Sequence, residues 1–448
     1  MKHSIIYSAS LSVLALAAGL TSCEFEQEDF FDQPAALRIE STNADIKAKL
    51  CAPSSQNGWL IQYFVAGTDD LSFEGFNLFG KFYESGKVTL SSDHRFLRNG
   101  NAGKYTEYDS YYEMLKEEGS VLAFNTWNDV LTVFVDPVSP SLAPNIVSDN
   151  GEGMKGDDRL VMISYSDDAM LFRGERHGAL VRFSRLDCTP QEYLEKTAAT
   201  RAIIASDRMT QYRISNGTET MYIKDLNKGY FQYVDRLIDP LSSEVRNCVF
   251  TPQGFSMQKP YTLGEDTYQD FVLNAECTQL SCGNVVIYPC WLESVQAMCN
   301  SSGKANITTD GASDSFAALY NKLAEDVVST FSGQTFTGIT FGKSSEAGSN
   351  CRVGIVFTCS SSKTKYQSGF TATISVDPNT GIATITADAN DSSNNFSNYS
   401  KKGIGSSFTD IVEAMNGQYN LTPNNVFNPT SVVWTKVNDP SFYFTTNF

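Results

Sequence analysis

Residue types and spacings used in catalysis occur at several points in this chain, and each demands a setting that the flanking sequence either supplies or withholds. Gly151-Glu152-Gly153-Met154-Lys155-Gly156 spells the glycine run that cradles a dinucleotide pyrophosphate, which needs a strand before it and a helix N-terminus after it. Ser148-Asp149-Asn150 precedes it and a strand-like Leu160–Tyr165 follows, so the run reads as a loop with turns. Zinc hydrolysis needs two histidines one helical turn apart with a glutamate, whereas His94 and His177 are far apart and each sits among turn residues. There is no Gly-x-Ser-x-Gly elbow. Ser301-Ser302-Gly303-Lys304 and Ser360-Ser361-Ser362-Lys363 fit Ser-x-x-Lys only inside serine-rich loops. With 51 Asp plus Glu, carboxylate pairs are unavoidable and name no dyad. The expectation is a chain with no cofactor, no metal and no assignable catalytic residue. Of the aromatic side chains, Trp59 and Trp127, the second close to the tyrosine-rich Tyr105–Tyr112, are the candidate ligand-binding residues; core packing is the alternative for both.

Chemistry of a different kind is written at the N-terminus. Lys2 and His3 lead into an apolar stretch from Ile5 to Leu20, too short and serine-broken to span a bilayer, which takes ~20 apolar residues. Leu20-Thr21-Ser22-Cys23 then places an apolar and two small residues before a cysteine, which resembles a bacterial lipobox. The resemblance implies a signal peptide over 1–22, diacylglycerol on the Cys23 sulfur and an anchor to a membrane leaflet. The next residues, Glu24-Phe25-Glu26-Gln27-Glu28-Asp29, carry four carboxylates. Such a run resembles the acidic export signal of Bacteroidota lipoproteins bound for the outer face of the outer membrane; a solvated tether on its periplasmic face is the alternative.

Composition sets the remaining bounds. The 448 residues carry 34 Lys plus Arg against 51 acids, a formal net charge of −17 that becomes −18 once Lys2 leaves with the signal peptide. That balance argues against nucleic acid as a partner, because phosphate binding needs clustered Lys and Arg. A hydrophobic fraction of 41% supports real cores. Nine cysteines remain beyond Cys23 and no Cys-x-x-Cys occurs. The cluster from Cys277 to Cys299 could be bridged or simply buried as thiols.

The elements expected to position these residues are mostly strands. After a tether over 23–34, spacings at Ala36, Ile39, Ile46 and Leu50 predict one amphipathic helix over 35–52. Aromatic and β-branched runs with turns every eight to twelve residues follow, including Trp59–Val65, Phe73–Tyr83, Lys87–Leu90 and Val130–Val135. They predict a domain over 35–188 built on an antiparallel sheet or partial barrel. Thr189-Pro190-Gln191-Glu192 opens a linking helix over 189–209 with a capping box. A second β-rich domain is expected over 210–448, with helices near 314–331 and 406–416, polar loops at Ser301–Asp314 and Asn390–Ser400, and a hairpin turn at Asp377-Pro378-Asn379-Thr380-Gly381. The fold class expected is thus α+β, predominantly antiparallel β, as two β-rich domains with a few short helices.

Several segments, taken in order, resemble an uncharacterised family of Bacteroidota outer-membrane lipoproteins described only as a domain of unknown function. They are Phe31-Asp32-Gln33-Pro34-Ala35-Ala36-Leu37-Arg38, Asn57-Gly58-Trp59, Gly119-Ser120-Val121-Leu122-Ala123-Phe124-Asn125-Thr126-Trp127-Asn128, and Asp136-Pro137. Gly156-Asp157-Asp158, Phe172-Arg173-Gly174, Thr251-Pro252-Gln253-Gly254-Phe255 and the ending Asn438-Asp439-Pro440-Ser441-Phe442-Tyr443-Phe444 continue the series. The resemblance implies company with SusC/SusD-type uptake systems but no reaction. A non-catalytic surface lipoprotein accessory to nutrient uptake, binding a glycan or peptide, is the leading expectation. A hydrolase with an unrecognised Asp or Glu site, and an adhesin-like or structural surface protein, are the alternatives.

Overall fold

The computed structural model describes residues 34–448 apart from 53–55, 67–73, 118, 137–153, 207–208, 210, 235–244, 302–303, 344–352 and 393–394. The stretch expected as a signal peptide (1–22), Cys23, the acidic run, Cys351 and the start of the glycine run lie outside the described residues.

Among the described residues, twenty-four strands close into three barrels of eight, running from β1 (Trp59–Phe64) to β8 (Leu180–Arg185), β9 (Gln211–Ser215) to β16 (Val285–Pro289), and β17 (Ala305–Thr308) to β24 (Tyr443–Asn447). Within each, neighbouring strands are antiparallel and the first pairs with the last: Ile61 lies opposite Phe183, Ile214 opposite Ile287, and Ile307 opposite Thr446. Closure leaves no strand edge with unpaired amides, and a barrel of eight is narrow enough for side chains to fill. Trp59, Leu78, Leu90, Leu160 and Phe172 fill the first; Tyr212, Phe231, Met257 and Phe271 the second; Phe341, Phe357, Trp434 and Phe444 the third.

Six α-helices are found among the described residues: α1 (Ala35–Cys51), α2 (Pro190–Ile204), α3 (Trp291–Cys299), α4 (Asp314–Thr330), α5 (Phe396–Lys401) and α6 (Gly405–Met415). The helix entering each barrel supplies side chains to its core: Ile46 and Leu50 from α1, Ile204 from α2, Val295 and Cys299 from α3. The Trp59 indole N–H donates to Leu50 O (3.1 Å), fastening α1 to the first barrel. Helix α2 starts on the expected capping box, with Thr189 Oγ1 accepting from Glu192 N–H and the Glu192 carboxylate accepting from Thr189 N–H. It then bridges two barrels. Tyr193 and Leu194 pack on Leu60 and Phe79 of the first barrel, while Thr200 Oγ1 donates to Pro252 O of the second.

The domain reading needs correction. The single domain expected over 210–448 is two closed barrels, and the partial barrel expected over 35–188 is fully closed. Strands β9, β15 (Leu280–Cys282) and β17 are only three to five residues long, too short to announce themselves by alternation. Ala305–Thr308 was hidden inside the polar stretch expected as a loop. Its partner β24 lies about 140 residues further on, a pairing that no local pattern encodes. Val130–Val135 is not a strand: Asn128 Oδ1 accepts from Leu131 N–H (2.7 Å) and folds the run into a 3-10 turn at Thr132–Phe134. Asn390–Ser400 is no plain loop either, since β21 (Ile382–Ser392) extends into it and α5 follows with Tyr399 buried. The eight described cysteines are free thiols, so Cys277, Cys282, Cys290 and Cys299 form no bridge with one another.

Two segments that carried the resemblance meet in the first barrel. Both Asp157 carboxylate oxygens accept backbone N–H groups, from Arg176, His177 and Ala179, while the Tyr63 hydroxyl donates to Asp157 O and accepts from Asp157 N–H. Asp157 sits so close to Gly174 that a Cβ there would lie 1.9 Å from the carboxylate. Gly156-Asp157 and Arg173-Gly174 are therefore a structural clasp. We expect Asp157→Ala, which strands three amides, and Gly174→Ala, which displaces the carboxylate, each to cost about 3 kcal/mol or more in urea unfolding. A loss below ~1 kcal/mol for both would show that the clasp is dispensable.

Candidate functional site

The loop after β5 (Ser120–Phe124) projects Trp127 from the first barrel. Thr126 Oγ1 accepts from Tyr111 N–H on β4 (Thr106–Lys116), tying the loop to that strand. The Trp127 indole N–H donates to Asp129 Oδ1 (3.1 Å), and Tyr108, its phenol raised by burial and by this contact, donates to Asp129 Oδ2 (2.9 Å). The Arg98 guanidinium lies 4.6 Å from the indole centroid and pairs with Asp136 at 2.7 Å. Despite these restraints Trp127 is 52% exposed, and Tyr111 is 58% exposed. An exposed ring held in place gives up little rotamer freedom on binding, which is how aromatic anchors of binding surfaces work.

The other expected ligand-binding residue is placed differently. Trp59 is fully buried, its N–H spent on Leu50 O and its ring covered by the Arg185 guanidinium at 4.5 Å. It offers no face to a ligand and is part of the core, so the structure does not bring Trp59 and Trp127 into one platform.

A cavity of about 310 Å³ between the first barrel, α2 and the second barrel holds a carboxylate pair that spacing alone did not reveal. Glu74 pairs with Arg201 at 2.8 Å and stands 4.0 Å from Arg95. It presses on Gly229, where φ is +79° and a Cβ would fall 2.2 Å from the Glu74 Cβ, so only glycine fits. Asp93 lines the same cavity, its carboxyl pushed up chiefly by burial and further by the Glu74 charge. His94, expected as a turn residue, is buried beneath them: its Nε2 donates to Val130 O (2.9 Å) and Nδ1 accepts from Phe96 N–H (3.2 Å). Both nitrogens are used by a neutral ring. His177 likewise gives Nδ1–H to Gly156 O. Among the described residues no three His, Cys, Asp or Glu side chains are grouped to hold a metal.

A wider cleft of about 790 Å³ separates the first and second barrels. At its floor Arg182 donates to Ser256 Oγ (3.0 Å), and Ser256 donates to Asp270. These bonds link the two barrels across the seam, so the cleft reads first as a joint between them.

Residues 27–275 match the family described as Domain of unknown function (DUF4302). The match takes in the first barrel and ends in the second just after β14 (Asp266–Leu273), leaving the third outside it. No curated protein matches the chain. Among solved structures, the β clamp of Helicobacter pylori bound to a DNA ligase peptide aligns at 10% identity and a TM-score of 0.11, over 92% of this chain and 97% of that one. The β chain of DNA polymerase III from Streptococcus pneumoniae TIGR4 aligns over the same shares at 8% identity and a TM-score of 0.12. Likenesses this slight carry nothing to this chain.

Burial lowers the His94 pKa from 6.5 to about 4. Between those values the unfolded chain binds a proton that the folded chain refuses, so the contribution of His94 to stability is present above pH 6.5 and lost as pH falls to 4. The loss should reach about 3 kcal/mol in urea unfolding across that window. His94→Gln should be less stable at pH 7 and flatten this slope; an unchanged slope would refute the assignment.

Proposed function

Because the chain belongs to the DUF4302 family, whose description as a domain of unknown function names no activity, we propose a function from its own residues: a non-catalytic lipoprotein, anchored through Cys23 to the outer membrane and facing outward, that holds a glycan chain for a SusC/SusD-type uptake system. The carrying observation is Trp127, half exposed yet fixed by Asp129 and Arg98, with exposed Tyr111 anchored to the same loop. Flat apolar ring faces next to polar groups suit the alternating C–H and hydroxyl surfaces of a sugar chain. The lipobox and the four carboxylates after Cys23 support the address. Periplasmic orientation and a peptide ligand are the competing forms of the same reading.

The test labels whole cells expressing the full chain with fluorescent polysaccharides and, in parallel, fluorescent unfolded peptides. Polysaccharide labelling should fall about tenfold in Trp127→Ala, whose exposed side chain is not needed for the core, and Cys23→Ser should release the protein from the cells. Labelling by peptides alone would replace the glycan with a peptide ligand. Labelling only after the outer membrane is opened would move the protein to the periplasmic face, and labelling that ignores Trp127 would refute the platform.

A second reading, a hydrolase, is favoured by one observation: Asp93, its pKa raised chiefly by burial, lines a cavity with Glu74, which is ion-paired to Arg201. A carboxyl with a raised pKa beside an ionised carboxylate is the arrangement acid–base hydrolysis uses. On the non-catalytic reading, purified protein releases no reducing ends from polysaccharides, and Asp93→Asn behaves identically. Turnover that Asp93→Asn lowers about a hundredfold would establish the enzyme instead.

A further inference from the structure

The third barrel carries a cavity of about 300 Å³, at the lower end of the ~300–1,000 Å³ usual for small-ligand sites. Its walls are aromatic: Phe331 ends α4, Tyr366 stands near the start of β20 (Lys365–Val376), and Tyr399 lies on α5. Tyr399 is held by edge contacts with Phe331 at 5.1 Å and by Phe408 at 4.9 Å, and its hydroxyl donates to Gln334 Oε1 (3.2 Å). That bond uses the Gln334 oxygen and leaves its amide nitrogen as a donor. Asn398 adds a second amide at the rim.

Charge adds a second feature to this lining. The chain carries −17 overall, and Lys49, Lys87, Lys116 and Lys228 each meet a carboxylate within 4 Å. Lys401 and Lys402 line the cavity, no carboxylate lies among its wall residues, and no ion pair engages either lysine among the described residues. Two ammonium groups at the C-terminal end of α5 are also where a helix dipole tolerates positive charge. A ligand for this site needs flat C–H faces for the rings, oxygens for the amide donors, and a negative charge for the lysines.

We propose that this cavity is a binding site for an acidic sugar residue, a hexuronate, with its carboxylate between Lys401 and Lys402 and its ring against the half-buried Tyr366 and Phe331. The site lies on a different barrel from Trp127 and does not depend on that platform. A neutral hexose lacks the charge that the lysines demand, and a small inorganic anion lacks the faces that the rings provide.

The test titrates the full-length mature chain with galacturonate, glucose and sodium sulfate at constant ionic strength, read by calorimetry and by saturation-transfer NMR. Galacturonate should bind saturably and at least about tenfold more tightly than glucose. Lys401→Ala with Lys402→Ala should bring galacturonate down to the glucose level, Tyr366→Ala should weaken it about tenfold, and Trp127→Ala should leave it unchanged. Sulfate displacing galacturonate at equal concentration would reduce the site to a pair of lysines and overturn the proposal. So would the absence of saturable galacturonate binding, or binding that persists in the double lysine variant. Loss of galacturonate binding in Trp127→Ala would move the site to the first barrel and equally overturn it, whereas failure of polysaccharide labelling at Trp127 leaves this result standing.

Discussion

Pairing the first strand of each barrel to its last is the constraint from which the rest of the molecule follows. A closed sheet of eight strands satisfies every backbone edge, yet it leaves two open ends through which water could reach an apolar interior. The chain meets this need with the segment that enters each barrel. Side chains of α1, α2 and α3 join the interior clusters they precede, and a helix outside the wall can do so only through an end. The third barrel, which also takes Phe316, Leu323 and Val327 from α4 and Phe408, Ile411 and Val412 from α6, has the most helix in its core. Its small cavity lies between the end of α4, helix α5 and the start of β20.

Guanidinium groups do much of the work between and upon these barrels. Arg185 covers Trp59, Arg182 lies over Phe64, Arg201 over Phe250 and Arg98 beside Trp127. Arg182 and Arg201 also reach across the boundary between the first two barrels, one to Ser256 and the other from α2 back to Glu74. A planar, weakly hydrated cation can stack on an aromatic ring while hydrogen bonding at its edge, which an ammonium cannot do as well. In a chain with 51 acids against 34 bases, arginine stays at these joints for its shape as well as its charge.

Local chemistry was legible in the sequence and distant closure was not. The capping box at Thr189, the turn at Asp377–Gly381 and the stripe from Phe316 to Val327 each depend on residues a few positions apart, and each formed as read. The count of barrels depends on which strand meets which across more than a hundred residues, and short strands such as Leu280–Cys282 gave no period to detect. The site was legible to the same extent. Trp59 and Trp127 are indistinguishable as letters; one begins a strand whose alternation points it inward, the other follows Asn125-Thr126 in a loop, and only the fold separates core from surface. Glu74 and Asp93 meet because a barrel brings β2 (Phe76–Phe82) and the turn after β3 (Lys87–Ser92) together, which their spacing never suggested.

One contact ties the last part of the chain to the middle. Phe427, from the loop after β22 (Gly417–Pro423), is fully buried among the core residues of the second barrel, its ring 6.3 Å from that of Tyr212, and the adjacent Asn428 accepts from Ser206 Oγ at 2.7 Å. In synthesis from the N-terminus, all eight strands of the second barrel are made more than a hundred residues before Phe427, a residue of its core. The core of the second barrel can therefore be completed only after β22 has been made, whereas the buried core residues of the first all lie between Ile46 and Phe183.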